Sequence, residues 1–395
     1  MGERMGADGG AQARRYDIDW LRIAAVLLLI PYHTARVFNR EEDWYIKNVP
    51  TDVLAQRFID FVGPWHMSLL FLLAGAASWL AFRYRSGAQY AGERFKRLLI
   101  PFVFGVLVIV PPQTWLAYNS HQGTDLSYWD YLPKFFTTAE SMEGYQGGFT
   151  VGHMWFVLFL FVFSLVALPL FLWLRNRGGR RVVRAFGRAA QAPALLILLP
   201  VLVLVLPWLE NEDDFSGQPP IGLFLVFVLG FLLLADDRVG RVIDRHWWWI
   251  LGLGVAASVA YIWAEPRAGG WPDTVAVFAG MKTLYEVGVW CMILGLLGLG
   301  HRFFTASGPA WSYATEAAYP FYILHQTVIV AIAYFVVQWD MAAGLKFAAI
   351  AIASFALSLL VYEVAVRRWG PVRFLFGMKP KRKRTAGQRP IETPS

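Results

Sequence analysis

The sequence holds one cysteine in 395 residues, Cys291, and it lies in an apolar stretch. An intrachain disulfide and a cysteine zinc cluster are thereby excluded, and stability has to come from packing. Charge is scarce as well: 16% of residues are charged against 57% hydrophobic, and mean hydropathy is +0.44. Soluble globular chains carry roughly 25% charged residues, so that class is excluded. Pairs of the His-Glu-x-x-His type are missing among the seven histidines, and no metal is expected. No connection between apolar segments is long enough for a folded extramembrane catalytic domain. The longest runs from about 119 to 150, and with Gly144, Gly147 and Gly148 near its end it reads as a mobile loop. Any chemistry therefore belongs within the helices.

What is abundant is apolar sequence in windows near the ~20 residues needed to cross a bilayer. Ten such windows are read, at 18–38, 60–82, 98–118, 152–174, 193–209, 220–235, 247–264, 274–299, 314–337 and 345–366. The 18 Trp, 16 Tyr and 30 Phe suit aromatic belts at two interfaces. The expected fold is an all-α polytopic membrane protein, a bundle of about ten transmembrane helices. Most of the 36 Lys and Arg fall in the N-terminal arm, the 83–97, 175–188 and 236–245 connections and the tail. The positive-inside rule then makes both termini cytoplasmic. Three regions are expected: a cytoplasmic arm at 1–16, a transmembrane domain at 17–368 and a basic cytoplasmic tail at 369–395. The first apolar segment lacks a small-residue cleavage site and reads as a retained anchor. The tail Lys379-Pro-Lys-Arg-Lys-Arg384 reads as a contact for anionic lipid rather than for nucleic acid.

Polar residues inside apolar segments are costly, and they form the list of functional positions. The first segment runs Asp17-Ile-Asp19-Trp-Leu-Arg22 and, eleven residues after Arg22, reaches His33. On a helix that step is about three turns, so Arg22 and His33 share a face roughly 16 Å apart. The same spacing also permits a plain ion pair of Asp19 with Arg22 and an interfacial histidine. In the expected topology His33, His66 and His153 lie at one depth toward the outer leaflet, while His325 is nearer the middle of its segment. Such imidazoles can serve as a proton relay, a metal or haem site, a general base with helpers, or interfacial anchors. Arg94 and Arg97, one helical turn apart, can grip phosphate groups or simply supply cytoplasmic charge. Lys282 with Glu286 and Glu363 with Arg367, each at i and i+4, are expected to pair with one another.

Five motifs, in order along the chain, resemble the integral-membrane acyltransferase-3 family, in the branch that includes glucan biosynthesis protein C. They are Asp19 with Arg22 and His33 at their spacing, His66-Met-Ser-Leu-Leu-Phe-Leu-Leu-Ala-Gly75, Arg94-Phe-Lys-Arg97, Gly152-His153-Met-Trp155-Phe, and Tyr319-Pro-Phe-Tyr322-Ile-Leu-His325-Gln. The resemblance implies a membrane-embedded O-acyltransferase of the plasma or inner cell membrane. It would move an acyl group from cytoplasmic acyl-CoA, the donor substrate, to a hydroxyl of an extracytoplasmic glycan or related acceptor. His33 would be the general base, with Arg22 and Asp19 fixing the donor or the helix, and Arg94 and Arg97 would hold the CoA phosphates. His66, His153, Trp155, Tyr322 and His325 would meet the substrate. The competing reading is a proton-coupled transporter of an anionic solute, disfavoured because no repeat relates the two halves. A haem-bearing electron carrier comes third.

Overall fold

Backbone in hydrocarbon has no water to bond, so a spanning segment satisfies itself as helix. The computed structural model describes residues 15–380 apart from 41, 42, 143, 211–218, 269 and 273, and among the described residues it holds helices and no strand. In chain order these are α1 (Tyr16–Phe38), α2 (Val53–Ala81), α3 (Gly87–Gln122), α4 (Tyr128–Thr137), α5 (Gly152–Val166) and α6 (Leu168–Arg175). There follow α7 (Gly179–Ala189), α8 (Pro193–Trp208), α9 (Pro220–Ala235), α10 (Asp237–Ala268), α11 (Val275–Phe303), α12 (Pro309–Val336), α13 (Ala343–Val366) and α14 (Gly370–Leu375). The arm at 1–14, residues 41–42 and 211–218, and the tail from 381 lie outside the described residues.

Among the described residues seven helices, α1, α2, α3, α10, α11, α12 and α13, are long and apolar enough to cross a membrane. The pair α5 and α6, bent by 46°, makes an eighth if it is one span. The ten apolar windows all fall on helices, yet α8 and α9 belong to a shorter class of 10–17 residues. The 16 residues of α9 rise about 24 Å, less than the ~30 Å hydrocarbon core. Pro219 and Pro220 set where α9 begins, and α8 gives way to a 3₁₀ turn at Leu206–Glu210. The chain is an all-helical, multi-pass membrane protein.

Contacts divide the chain into two compact units, with the division falling inside α1 between Tyr32 and His33 and inside α12 between Ala318 and Tyr319. The first unit comprises 1–32, 53–86 and 166–318. Lipid gives helices no hydrophobic reason to associate, so they gain by approaching closely across small residues. Where α2 crosses α9, a Cβ added to Gly75 would lie 1.8 Å from the Phe227 carbonyl oxygen, and one on Gly230 would lie 2.0 Å from that of Leu72. On α11, a Cβ at Gly295 would lie 2.6 Å from the Leu251 Cα of α10. Aliphatic and aromatic side chains fill the interior: Leu72, Leu223 and Val226 are buried there, and Phe171 stacks on Phe231 at 4.0 Å and 6°. Glu286 and Lys282 meet on the same indole: Glu286 Oε1 accepts from Trp208 Nε1 at 2.8 Å, and the Lys282 ammonium sits 3.5 Å over the Trp208 ring.

The second unit, 33–52, 87–165 and 319–395, is built on more interrupted helices. α3 contains Pro101, Pro111 and Pro112 and two π-helical turns, Phe95–Leu99 and Gly105–Ile109. Proline removes backbone donors, and π turns recur at functional places. The Thr327 hydroxyl of α12 donates to the Ile109 carbonyl at 2.8 Å. The 119–150 connection is not the plain mobile loop expected from its glycines. It carries α4, capped by Ser127 on the Asp130 N–H, and the fully buried Tyr131 donates to the Gly147 carbonyl at 2.5 Å. Glu363 and Arg367 pair at 2.8 Å as the sequence suggests.

Candidate active site

α1 stays helical through Pro31 and ends at Phe38; of its functional candidates Asp19 and Arg22 fall in the first unit and His33 in the second. In the first unit Arg22 and Asp19 form an ion pair of 2.8 Å, with the Arg22 side chain 38% exposed. Exposed pairs of this kind contribute at most about 1 kcal/mol. His66, also in the first unit, is buried and its Nε2 donates to the Ala25 carbonyl at 2.7 Å. That contact ties α2 to α1.

The second unit brings together three of the remaining histidines. The ring of His325 lies 5.2 Å from that of His33 and 5.3 Å from that of His153, with Tyr322 5.6 Å away. His325 therefore occupies the centre of the constellation, a place the sequence reading assigned to no residue. His325 and His153 are buried, whereas His33 is partly accessible. Each buried ring is fixed by a backbone carbonyl: His325 Nδ1 donates to Tyr322 O one helical turn back, and His153 Nε2 donates to Ile323 O at 2.9 Å. A neutral imidazole has one N–H, so these contacts leave His325 Nε2 and His153 Nδ1 as the lone-pair nitrogens. The Tyr322 hydroxyl in turn donates to the His153 carbonyl. Trp155, two residues after His153, is buried against Phe156 and Phe159.

Two residue sets outside the sequence reading hold this arrangement. Gly152 sits at φ +51 just before His153, and a Cβ there would lie 2.8 Å from Gln113 Nε2 and 3.1 Å from the Tyr45 hydroxyl. The buried Gln113 itself donates to Tyr45 at 3.1 Å and accepts from Thr327 at 3.0 Å, linking α3, α12 and the first loop. Trp44 from that loop is buried and stacks on His33 at 6.0 Å and 11°. The Trp44 carbonyl accepts from His121 Nε2, and Gln146 donates to Asp43 at 2.9 Å, so the 39–52 and 138–151 connections lock together. Lys47 fastens the same loop, donating to the carbonyls of Arg36 and Asn39 and to Asn39 Oδ1. Burial, with Arg36 adding repulsion, brings its ammonium down to about 8. An amide between Pro112 and Thr114 in an apolar helix was the available signal for Gln113. Trp44 gave none beyond its being aromatic.

Arg94 closes the first part of α3 with its guanidinium 4.4 Å over the buried Tyr90 ring. Arg97 lies in the π turn that follows, and its carbonyl faces Gly377, which sits at φ +66 where a Cβ would come within 2.8 Å. The buried Arg373 of α14 donates to the carbonyls of Arg367 and Lys379, holding this C-terminal segment in place. Among the described residues, no group of three or more His, Cys, Asp or Glu is placed to hold a metal ion.

The comparisons with known proteins point one way. The acyltransferase-3 family model, described as an acyltransferase domain, matches residues 15–363. Glucans biosynthesis protein C of Salmonella typhimurium (strain LT2) is 23% identical over 386 residues, covering 94% of this chain and 96% of that protein. The protein of the same name from Salmonella heidelberg (strain SL476) is 23% identical over 382 residues, with 93% and 95% covered. No solved structure matches the chain.

Proposed function

Because this chain belongs to the acyltransferase-3 family and is a membrane acyltransferase, we propose that it moves an acyl group from acyl-CoA to a hydroxyl of an extracytoplasmic glycan or related acceptor, with His33 as general base. The observation that carries this reading is the constellation of His33, His325, His153 and Tyr322, in which the two histidines behind are buried and carbonyl-bound while His33 alone is partly accessible. A base has to reach its substrate and keep a lone pair, and a stacked indole limits the ring to one plane. As the acceptor oxygen attacks the thioester carbonyl, His33 takes the hydroxyl proton. Collapse of the tetrahedral centre breaks the carbon–sulfur bond, and the proton passes to the departing thiolate. A well-placed base contributes about 10² to 10⁴ in rate.

Arg94 and Arg97 are assigned to the CoA phosphates, because guanidinium forks fit phosphate oxygens bidentately. Arg94 is held for this over Tyr90. His153, Trp155, Tyr322 and His325 are assigned to the acceptor side. His66 and the pair of Arg22 with Asp19 belong to the first unit and keep their assignments from the family resemblance, the pair steadying the start of α1. The glycan assignment is supported by the similarity to the glucans biosynthesis proteins C. Counting α5 with α6 as one span and the short α8 and α9 as two more gives ten, and ten spans with both termini cytoplasmic, in the inner or plasma membrane, is the topology proposed here. The test is release of CoA thiol by the purified protein from short acyl-CoAs, followed by the same assay in vesicles of known orientation. Turnover by acyl-CoA supplied only at the face carrying Arg94 supports the reading. Turnover confined to the opposite face would overturn it.

A further inference from the structure

A pocket of about 280 Å³ in the first unit has a rim of four arginines, Arg83, Arg175, Arg180 and Arg184, and plays no part in the acyl-transfer reading. It lies where α2, α6 and α9 end and α7 begins, and its floor is apolar, made by Trp79, Leu174 and Val183. Among the described residues Asp236 is the only carboxylate lining it. That carboxylate is already engaged, since Arg238 reaches its two oxygens at 2.9 and 2.6 Å and the Arg238 backbone N–H adds a third bond at 3.0 Å. None of the four rim arginines is ion-paired to a described carboxylate. Two of them are positioned by other means: Arg175 lies 5.6 Å over the Phe82 ring, and Arg180 Nε donates to the Arg175 carbonyl at 2.9 Å.

Four like charges around one cavity repel each other, and an anion between them relieves that repulsion. We propose that this pocket binds a phosphate group, with the headgroup of an anionic phospholipid and free phosphate as the two sources of that chemistry. Guanidinium matches phosphate oxygens in charge and in fork geometry, better than any other side chain. A cavity of this size takes a headgroup and is too small for a whole nucleotide cofactor. The apolar Trp79 floor suits the glycerol end of a lipid, and basic niches between spanning helices on the cytoplasmic side recognise phosphorylated headgroups. The positive-inside tendency alone puts arginines at this face, but it requires neither a cavity nor the withdrawal of its one carboxylate by Arg238.

The test uses full-length protein in uncharged detergent, titrated calorimetrically with dihexanoyl phosphatidylglycerol, with the phosphate-free diglyceride of the same chains, and with inorganic phosphate at constant ionic strength. Among the described residues the side chains of Arg83 and Arg184 hold no hydrogen bond, so Arg83→Gln and the Arg83→Gln, Arg184→Gln double variant should fold as the parent does. Affinity for phosphatidylglycerol should fall roughly tenfold in the single variant and up to ~100-fold in the double. Competition by inorganic phosphate identifies free phosphate as a sufficient ligand, and binding of the lipid without such competition identifies the headgroup. Binding of the diglyceride as tight as that of phosphatidylglycerol would overturn the proposal, as would parental affinity in a folded double variant or failure of both phosphate probes to bind.

Discussion

The two units of this chain solve the same problem, holding helices together in lipid, by opposite means. In the first, α2 and α9 meet at paired glycines, where each missing Cβ admits the partner's carbonyl, with aliphatic side chains and stacked phenylalanines packed around them. In the second, α3 and α12 meet through Gln113, Thr327 and an ordered set of imidazoles, over backbone broken by proline and π turns. Close glycine contact depends on shape and tolerates no added atom. Buried polar groups satisfy each other only in one arrangement, and a protein that keeps them in a membrane keeps them for use. The first unit reads mainly as scaffold, with His66, Arg22 and Asp19 as its share of the proposed site, and the second holds the imidazole constellation.

That contrast breaks most readily at Gly230. Gly230→Val puts a branched side chain 2.0 Å from the Leu72 carbonyl, and the expected cost is about 3 kcal/mol or more. Folded yield on size exclusion and melting temperature should both collapse; a variant that purifies and melts like the parent would remove the scaffold reading. His33→Ala should do the reverse, with acyl transfer falling ~10²- to 10⁴-fold while the melting temperature stays within about 2 °C. Activity within a few-fold of the parent would take His33 out of the chemistry. In sealed vesicles, acidifying only the side that His33 faces should slow transfer, because a protonated base accepts no proton.

A smaller effect is expected in the same unit away from the imidazoles. Arg94→Ala and Arg97→Ala should each raise the KM for acyl-CoA about tenfold and leave kcat within threefold. An equal fall in kcat with KM unchanged would mean that these arginines act on the reacting atoms and not on the phosphates. The smallest effect belongs to the loop that carries Trp44. Lys47 titrates at about 8 in the folded protein against the usual 10.5, so between those values the unfolded chain holds a proton that the folded one has released. Stability then rises with pH across that window as the penalty of burying the ammonium is relieved. Relative to Lys47→Met, the parent should gain no more than about 2 °C between pH 7.5 and 9.5. A parent that loses ground to the variant over that range would mean that the loop is held by the charge itself.

Sequence alone determined that this is an all-helical membrane protein, because scarce charge and long apolar windows leave a chain no other way to satisfy its backbone. It also carried the family, through short motifs whose residues are costly in lipid, and it named His33, His153 and His325, which the fold does bring together. Tertiary structure decided the rest. Periodicity places a residue on a helix face and says nothing of which helix that face meets, so the central place of His325 and the roles of Gln113, Trp44 and Gly152 became visible only with distances. Window counting did not separate a 16-residue apolar helix from a full span, since hydropathy records composition and proline decides where a helix begins. Nor did glycine in a loop mean mobility: Gly147 lends its carbonyl to Tyr131, a contact between residues 16 apart that only a folded chain can make.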